Sequence, residues 1–247
     1  MSDFPSGRWR QGFFARWAGV VSPFTFPLLQ MKDNKTHNAQ VGELFAGVVH
    51  AEKYQSGNFI ADHLVNRFMK AILGRVQQAG SQEVHEIGCG EGHILGMLAR
   101  NGFKVRGCDV ATRSLDVARA ESIRHGLDIP LAVKSVYDLD PAVDAADTVL
   151  CCEVLEHLTE PEKALERLTA VARKDLILSV PREPLWHLLN LARGKYWSAM
   201  GNTPGHYQHW TRQGFLDFVA TRADIVSVEC PTPWTLIHCR PKQRVPA

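Results

Sequence analysis

The chain has 247 residues, 45% of them hydrophobic, enough for one large α/β domain or one domain with an appendage. A formal net charge of +2 argues against bulk electrostatic binding of nucleic acid, although a local basic patch remains compatible with it. The six cysteines form no C-x-x-C pair, which fits free thiols in a reducing compartment, so a cytoplasmic location is expected.

Residues 1–40 read as an N-terminal arm. Trp9, Phe13, Phe14, Trp17, Phe24 and Phe26 alternate with Arg8, Arg10 and Arg16. Such a mixture suits packing over a site or against another subunit, contact with a membrane surface, which would make the protein membrane-peripheral, or contact with nucleic acid. The stretch is not read as a secretory leader or a membrane span, because Arg16, Pro23 and Pro27 interrupt its apolar run. Residues 41–80 read as a helical cap of two helices, with Ile60, Leu64, Val65, Phe68, Met69, Ile72 and Leu73 at helical spacing.

Residues 81–247 read as one alternating α/β domain. Val84-His85-Glu86-Ile87 is a short apolar strand that runs into Gly88-Cys89-Gly90-Glu91-Gly92, with a helix expected over about 91–100. A second strand, 104–109, ends in Asp109. A strand, a glycine-rich turn, a helix and a second strand closed by an acid form the nucleoside-binding half of a doubly wound sheet. Glycines let the backbone approach a ligand closely, and a carboxylate can accept both hydrogen bonds of a ribose diol. The G-x-G-x-G spacing differs from the dinucleotide fingerprint and favours S-adenosylmethionine, which has no pyrophosphate, over NAD.

With these residues the chain resembles the class I S-adenosylmethionine-dependent methyltransferases over roughly residues 50–240. The resemblance implies that Glu86, Gly88, Cys89 and Gly90 form the cofactor turn and that Asp109 holds the ribose. It implies that Ser135 and the backbone of Val136, after the third strand, border the adenine; family members often carry an acid at the position of Ser135. It also makes Tyr54 a candidate cofactor lid.

Further strands are expected near 131–134, 147–152, 175–180, 224–229 and 234–240, with helices near 112–125, 160–172 and 211–220. The expected fold is α/β: a doubly wound, Rossmann-like, seven-stranded and mostly parallel sheet with an N-terminal helical cap. No helix separates the last two strands, and the resemblance implies that one of them is antiparallel. Thr159-Glu160-Pro161-Glu162 resembles a capping box, and Thr211 can cap the helix that follows it.

The fourth strand runs into Glu153-Val154-Leu155-Glu156-His157. Ligands of open α/β sheets sit beyond the carboxyl ends of the strands, so these residues fall where a methyl acceptor would lie. In a helical turn the spacing i, i+3, i+4 would place Glu153, Glu156 and His157 on one face, a set that attracts a divalent metal or a proton. A similar E-x-x-E-H sequence occurs in ubiquinone-type O-methyltransferases and in Hen-type small-RNA 2′-O-methyltransferases, where it binds a divalent cation. The RNA enzymes add a histidine four residues before a tryptophan, and His206 stands four residues before Trp210, with His209 as a possible substitute. The resemblance therefore implies Glu153, Glu156, His157 and His206 as ligands of Mg, Mn or Zn. The same motif also occurs in small-molecule methyltransferases without a metal, where the first Glu lies by the cofactor and the His is a base or structural.

Residues 181–209, with Trp186, Tyr196, Trp197, Arg182, Arg193 and Lys195, read as an acceptor-pocket wall or lid, or as a packed surface helix over 185–191. The expected function is methyl transfer from S-adenosylmethionine to a small-molecule hydroxyl, with Glu156 and His157 as catalytic residues and a divalent metal as an optional aid. The alternatives are an RNA 3′-terminal 2′-O-methyltransferase, a metal-free N- or C-methyltransferase of a small molecule or lipid, and a non-catalytic nucleoside-binding scaffold. Nucleic acid is the less favoured partner.

Overall fold

A computed structural model describes residues 59–192, 202–203 and 205–242. The arm, Tyr54, residues 41–58 of the cap, and Arg193, Lys195, Tyr196 and Trp197 lie outside the described residues. In chain order the elements are α1 (Phe59–Ala79), β1 (Glu83–Ile87), α2 (His93–Arg100), β2 (Lys104–Asp109), α3 (Thr112–Arg124) and β3 (Leu131–Val133). They continue with α4 (Pro141–Asp144), β4 (Ala146–Cys152), α5 (Pro161–Val171), β5 (Ala172–Pro181), α6 (Leu185–Ala192), α7 (Arg212–Ala220), β6 (Ala223–Glu229) and β7 (Trp234–Pro241). Short 3₁₀ turns span Val136–Asp138 and Leu155–His157.

The strands form one seven-stranded sheet in the order β3-β2-β1-β4-β5-β7-β6. Strands β1 to β5 are mutually parallel, and β7 runs antiparallel to both β5 and β6. The order reverses at β1, which pairs with β2 on one side and β4 on the other. The turns after β1 and β4 therefore open into the same crevice, where doubly wound sheets hold their ligands.

Central strands are apolar on both faces, as a sheet covered by helices on both sides requires. Val149 and Cys151 of β4 and Leu176, Leu178 and Val180 of β5 face a core built with α5 and α7 (Leu165, Leu168, Phe215, Val219). Leu150, Cys152 and Ile177 face the opposite core, built with α1 and α2 (Phe68, Ile72, Val76, Leu95, Leu98). Of the apolar stripe expected on α1, Ile60 departs: it is exposed. Among the described residues no helix is long and apolar enough to cross a membrane.

Two helix starts separate local signals from outcomes. Thr211 caps α7 as expected, its hydroxyl accepting from Gly214 N–H at 3.1 Å. At α5 the capping box does not form. Glu160 is the cap residue and makes no side-chain cap bond, so Pro161 starts the helix by its fixed φ alone.

Candidate active site

The first wall of the crevice is the β1–α2 turn. Gly88 and Cys89 N–H both donate to Cys108 C=O, at 2.8 and 3.0 Å, which ties the turn to β2. Gly88, Gly90 and Gly92 all have left-handed φ, at 77°, 51° and 76°. Gly88 is constrained a second time: a Cβ there would stand 2.3 Å from Cγ2 of Val154, on the turn after β4. Its missing side chain thus lets the two turns approach each other.

Asp109 lies at the end of β2 and braces the turn. Its Oδ2 accepts Gly90 N–H at 2.8 Å, and its Oδ1 accepts Ala111 N–H at 2.8 Å. Burial pushes its carboxyl above the usual range, against the opposing effect of these backbone donors. Glu86, on β1 beneath the turn, is buried. Burial, reinforced by the charge of Asp109, holds its carboxyl well above the ordinary value. Its Oε2 is buried and has no hydrogen-bond partner among the described residues.

The other expected cofactor residues divide by side chain. Cys89 is buried in the core on the α1 and α2 side, and burial pushes its thiol far up, so only its backbone faces the turn. Val136 is likewise buried, against Leu139 and Ile87. Ser135 caps the 3₁₀ turn, its Oγ accepting from Tyr137 N–H at 3.3 Å. Lys134 N–H donates to Asp109 C=O at 3.0 Å, which places this segment beside the acid.

The second wall is the turn after β4. Glu153 has a left-handed φ of 59°, the only such non-glycine residue among those described. Its carboxylate bonds Ser179 Oγ at 3.1 Å and Trp234 Nε1 at 2.6 Å, across the ends of β5 and β7. The helical turn that would align Glu153 with Glu156 and His157 does not form. The 3₁₀ turn begins only at Leu155, and the left-handed residue before it breaks the periodicity.

Glu156, His157 and His206 do converge: one ligand atom from each lies within 4.8 Å of the others. Glu153 is not part of that cluster. The segment carrying His206 is docked by the backbone, because Glu156 C=O accepts from both Tyr207 and Gln208 N–H, at 2.8 and 3.0 Å. Gln208 Nε2 adds a bond to Leu158 C=O at 3.0 Å. His157 Nδ1 lies 3.0 Å from Gly205 C=O. A carbonyl only accepts, so Nδ1 carries the proton and the neutral ring presents its lone pair at Nε2. The His157 and His206 rings meet edge to face, with centroids 4.9 Å apart.

Two tryptophans add to this wall. Trp186 on α6 stacks over His206 at 6.1 Å and donates its Nε1–H to Thr203 Oγ1 at 2.9 Å. Trp234, which latches Glu153, stacks on Phe68 of α1 at 4.5 Å. Trp186 belongs to the segment that the sequence offered as an acceptor-pocket wall or a packed surface helix, whereas Trp234, the first residue of β7, carried no sequence signal of a role at Glu153.

Residues 85–180 match the family model described as a methyltransferase domain. The Ubiquinone biosynthesis O-methyltransferase of Chromobacterium violaceum is 28% identical over 130 residues, 52% of this chain and 56% of that protein. The chain thus spans little more than half the length of that relative. The magnesium protoporphyrin IX methyltransferase of Synechocystis PCC 6803, solved with bound SAH, superposes with a TM-score of 0.65 at 20% identity, covering 83% of this chain and 99% of that one. The methyltransferase domain of bacterial CtHen1-CN superposes with a TM-score of 0.56 at 20% identity, covering 72% and 99%. Residues 85–180 thus carry the match to a methyltransferase domain, and the chain shares the fold of these solved methyltransferases.

Proposed function

We propose that this class I S-adenosylmethionine-dependent methyltransferase domain transfers the methyl group to a hydroxyl of a small molecule, with a divalent cation held by Glu156, His157 and His206. The observation that carries the reading is that those three side chains meet within 4.8 Å, in the crevice that also contains Asp109 and the Gly88 turn. The Ubiquinone biosynthesis O-methyltransferase relative supports oxygen as the acceptor atom.

The cofactor turn fits a nucleoside. Each Asp109 oxygen spends one lone pair on a backbone N–H and keeps another for a ribose hydroxyl. The unpartnered Glu86 Oε2 behind the turn adds a buried polar atom on the same side as Asp109. One carboxylate and two imidazoles suit Zn²⁺ or Mn²⁺ better than Mg²⁺, which prefers oxygen ligands. Gly205 C=O fixes the His157 ring in the tautomer that ligation by Nε2 needs.

When bound, S-adenosylmethionine supplies an electrophilic methyl carbon, and a divalent cation lowers the pKa of an acceptor hydroxyl. The residues of the chain do the positioning, which an in-line displacement chiefly requires. Asp109 and the Gly88–Gly92 turn hold the nucleoside, and Trp186 and His206 form the opposite wall. If the cluster works without a cation, Nε2 of neutral His157 takes the acceptor proton.

Calorimetric titration with S-adenosylhomocysteine, on chelator-stripped protein and again with Mn²⁺ or Zn²⁺, tests both parts. The reading expects micromolar cofactor binding that is lost in Asp109→Ala, and a metal heat that is lost in Glu156→Ala and His157→Ala. Cofactor binding with an unchanged metal heat in those variants would remove the cation from the mechanism. Absence of cofactor binding would overturn the methyltransferase reading and favour a scaffold. A log-linear fall in acceptor affinity with log salt would move the acceptor to RNA.

A further inference from the structure

We infer that Glu183, His187 and His209 form a second site for a divalent transition metal of the zinc class, separate from the Glu156, His157 and His206 cluster.

The chain builds this trio from two segments. Glu183 stands two residues beyond the end of β5, just ahead of α6, and its Oε2 accepts the His187 N–H at 3.3 Å, which brings the first turn of α6 and the His187 side chain beside it. His209 comes from the strip before α7. Its backbone is fixed there because Glu183 N–H donates to the neighbouring Trp210 C=O at 2.9 Å.

The geometry is that of ligands around a shared centre. His187 Nδ1 lies 2.7 Å from Glu183 Oε2, and His209 Nδ1 lies 3.8 Å from Glu183 Oε1. The three ligand atoms all fall within 4.8 Å of one another. Metal–ligand bonds of about 2.0–2.2 Å in a tetrahedron place ligand atoms roughly 3.3 Å apart, between the two separations found here. The imidazole rings are 5.2 Å apart and tilted by 39°, so they approach the carboxylate from different directions rather than stacking.

Burial and charge favour a cation over a simple ion pair. Glu183 is 9% exposed, whereas His209 is exposed and His187 is half-buried, so a buried anion is reached from solvent past two imidazoles. Protonating both rings would set two positive charges around one carboxylate. A divalent metal takes both rings neutral and satisfies both carboxylate oxygens. Two histidines and one carboxylate leave a coordination position for water.

Such a site has a structural consequence. Trp186, one residue before His187, stacks over His206, and His209 follows His206 by three residues. A cation here would tie α6 to the strip that carries His206.

The test is metal alone on the full chain: equilibrium dialysis against Zn²⁺ with elemental counting, and Co²⁺ titration read by its visible absorption. The inference expects His209→Ala to weaken one metal equivalent by about tenfold or more, since even groups that only orient ligands are worth 10–100-fold. His187→Gln should do the same. His209 is exposed, so its replacement leaves the fold intact, and thermal melting without metal confirms that. His157→Ala with His206→Ala should retain the equivalent lost in His209→Ala, which separates this site from the one proposed for methyl transfer. Wild-type protein that binds no Zn²⁺, or binding that is unchanged in both His209→Ala and His187→Gln, would overturn the inference.

Discussion

Alanine at position 88 tests whether the glycine serves the protein or only a ligand. At φ 77° a Cβ costs about 1–2 kcal/mol in a left-handed conformation. The same atom would stand 2.3 Å from Cγ2 of Val154, and overpacking of that kind costs about 1–3 kcal/mol more. Gly88→Ala should therefore lose about 2–5 kcal/mol in urea denaturation without ligand. Val154→Ala removes the obstructing methyl together with the second one, at about 1–2 kcal/mol for the two partly buried carbons it deletes. The double variant should then be less destabilised than the sum of the two singles by about 1–3 kcal/mol, the overpacking share alone. Single-variant losses that add to within about 0.5 kcal/mol would refute the reasoning, because the clash would then not exist.

Glu86 gives a pH prediction with a definite sign. Its carboxyl is raised in the fold, so between the unfolded value of about 4.3 and the folded value the native state holds a proton that the unfolded chain has lost. Stability should fall as pH rises through that window, by at most about 1.4 kcal/mol per pH unit from this group; Glu86→Gln should flatten the slope, leaving the share of Asp109, and an unchanged slope in denaturation curves would count against it. Trp234→Phe keeps an aromatic ring against Phe68 but deletes the 2.6 Å bond to Glu153. It should cost about 1.5–3 kcal/mol in the same assay, and a loss under about 0.5 kcal/mol would show that the latch contributes little.

The sheet was largely legible because its strands are short apolar runs bounded by glycine, proline or acidic residues, and each matched a strand of the structure. That one of the last two strands runs antiparallel, as β7 does, came from the family resemblance rather than from local pattern. The glycine turn and the acid beside it were legible for the same local reason, since glycines and a strand-ending acid are spaced by backbone geometry. Glu153 was not. Nothing in the local sequence announces a left-handed non-glycine residue, and helical periodicity misplaced its side chain. His206 could be picked out by its spacing from Trp210, but its position beside Glu156 depends on two backbone hydrogen bonds between segments some fifty residues apart. The pairing of His209 with Glu183 depends on a similar long-range bond, while the Glu183 and His187 half of that trio comes from Glu183 accepting the His187 N–H at the start of α6.

The place of β7 sets an order of assembly. β6 precedes it in the chain yet pairs within the sheet only through it, because β7 lies between β5 and β6. As the chain leaves the ribosome, β1 to β5 can come together first, and with them the glycine turn and Asp109. β6 must wait, already synthesised but without its neighbour, until residues 234–241 slide in beside β5. The first residue of that late strand is Trp234, which closes on Glu153. The side of the crevice formed by the glycine turn can thus close before the side formed by Glu153, whose latch arrives with β7.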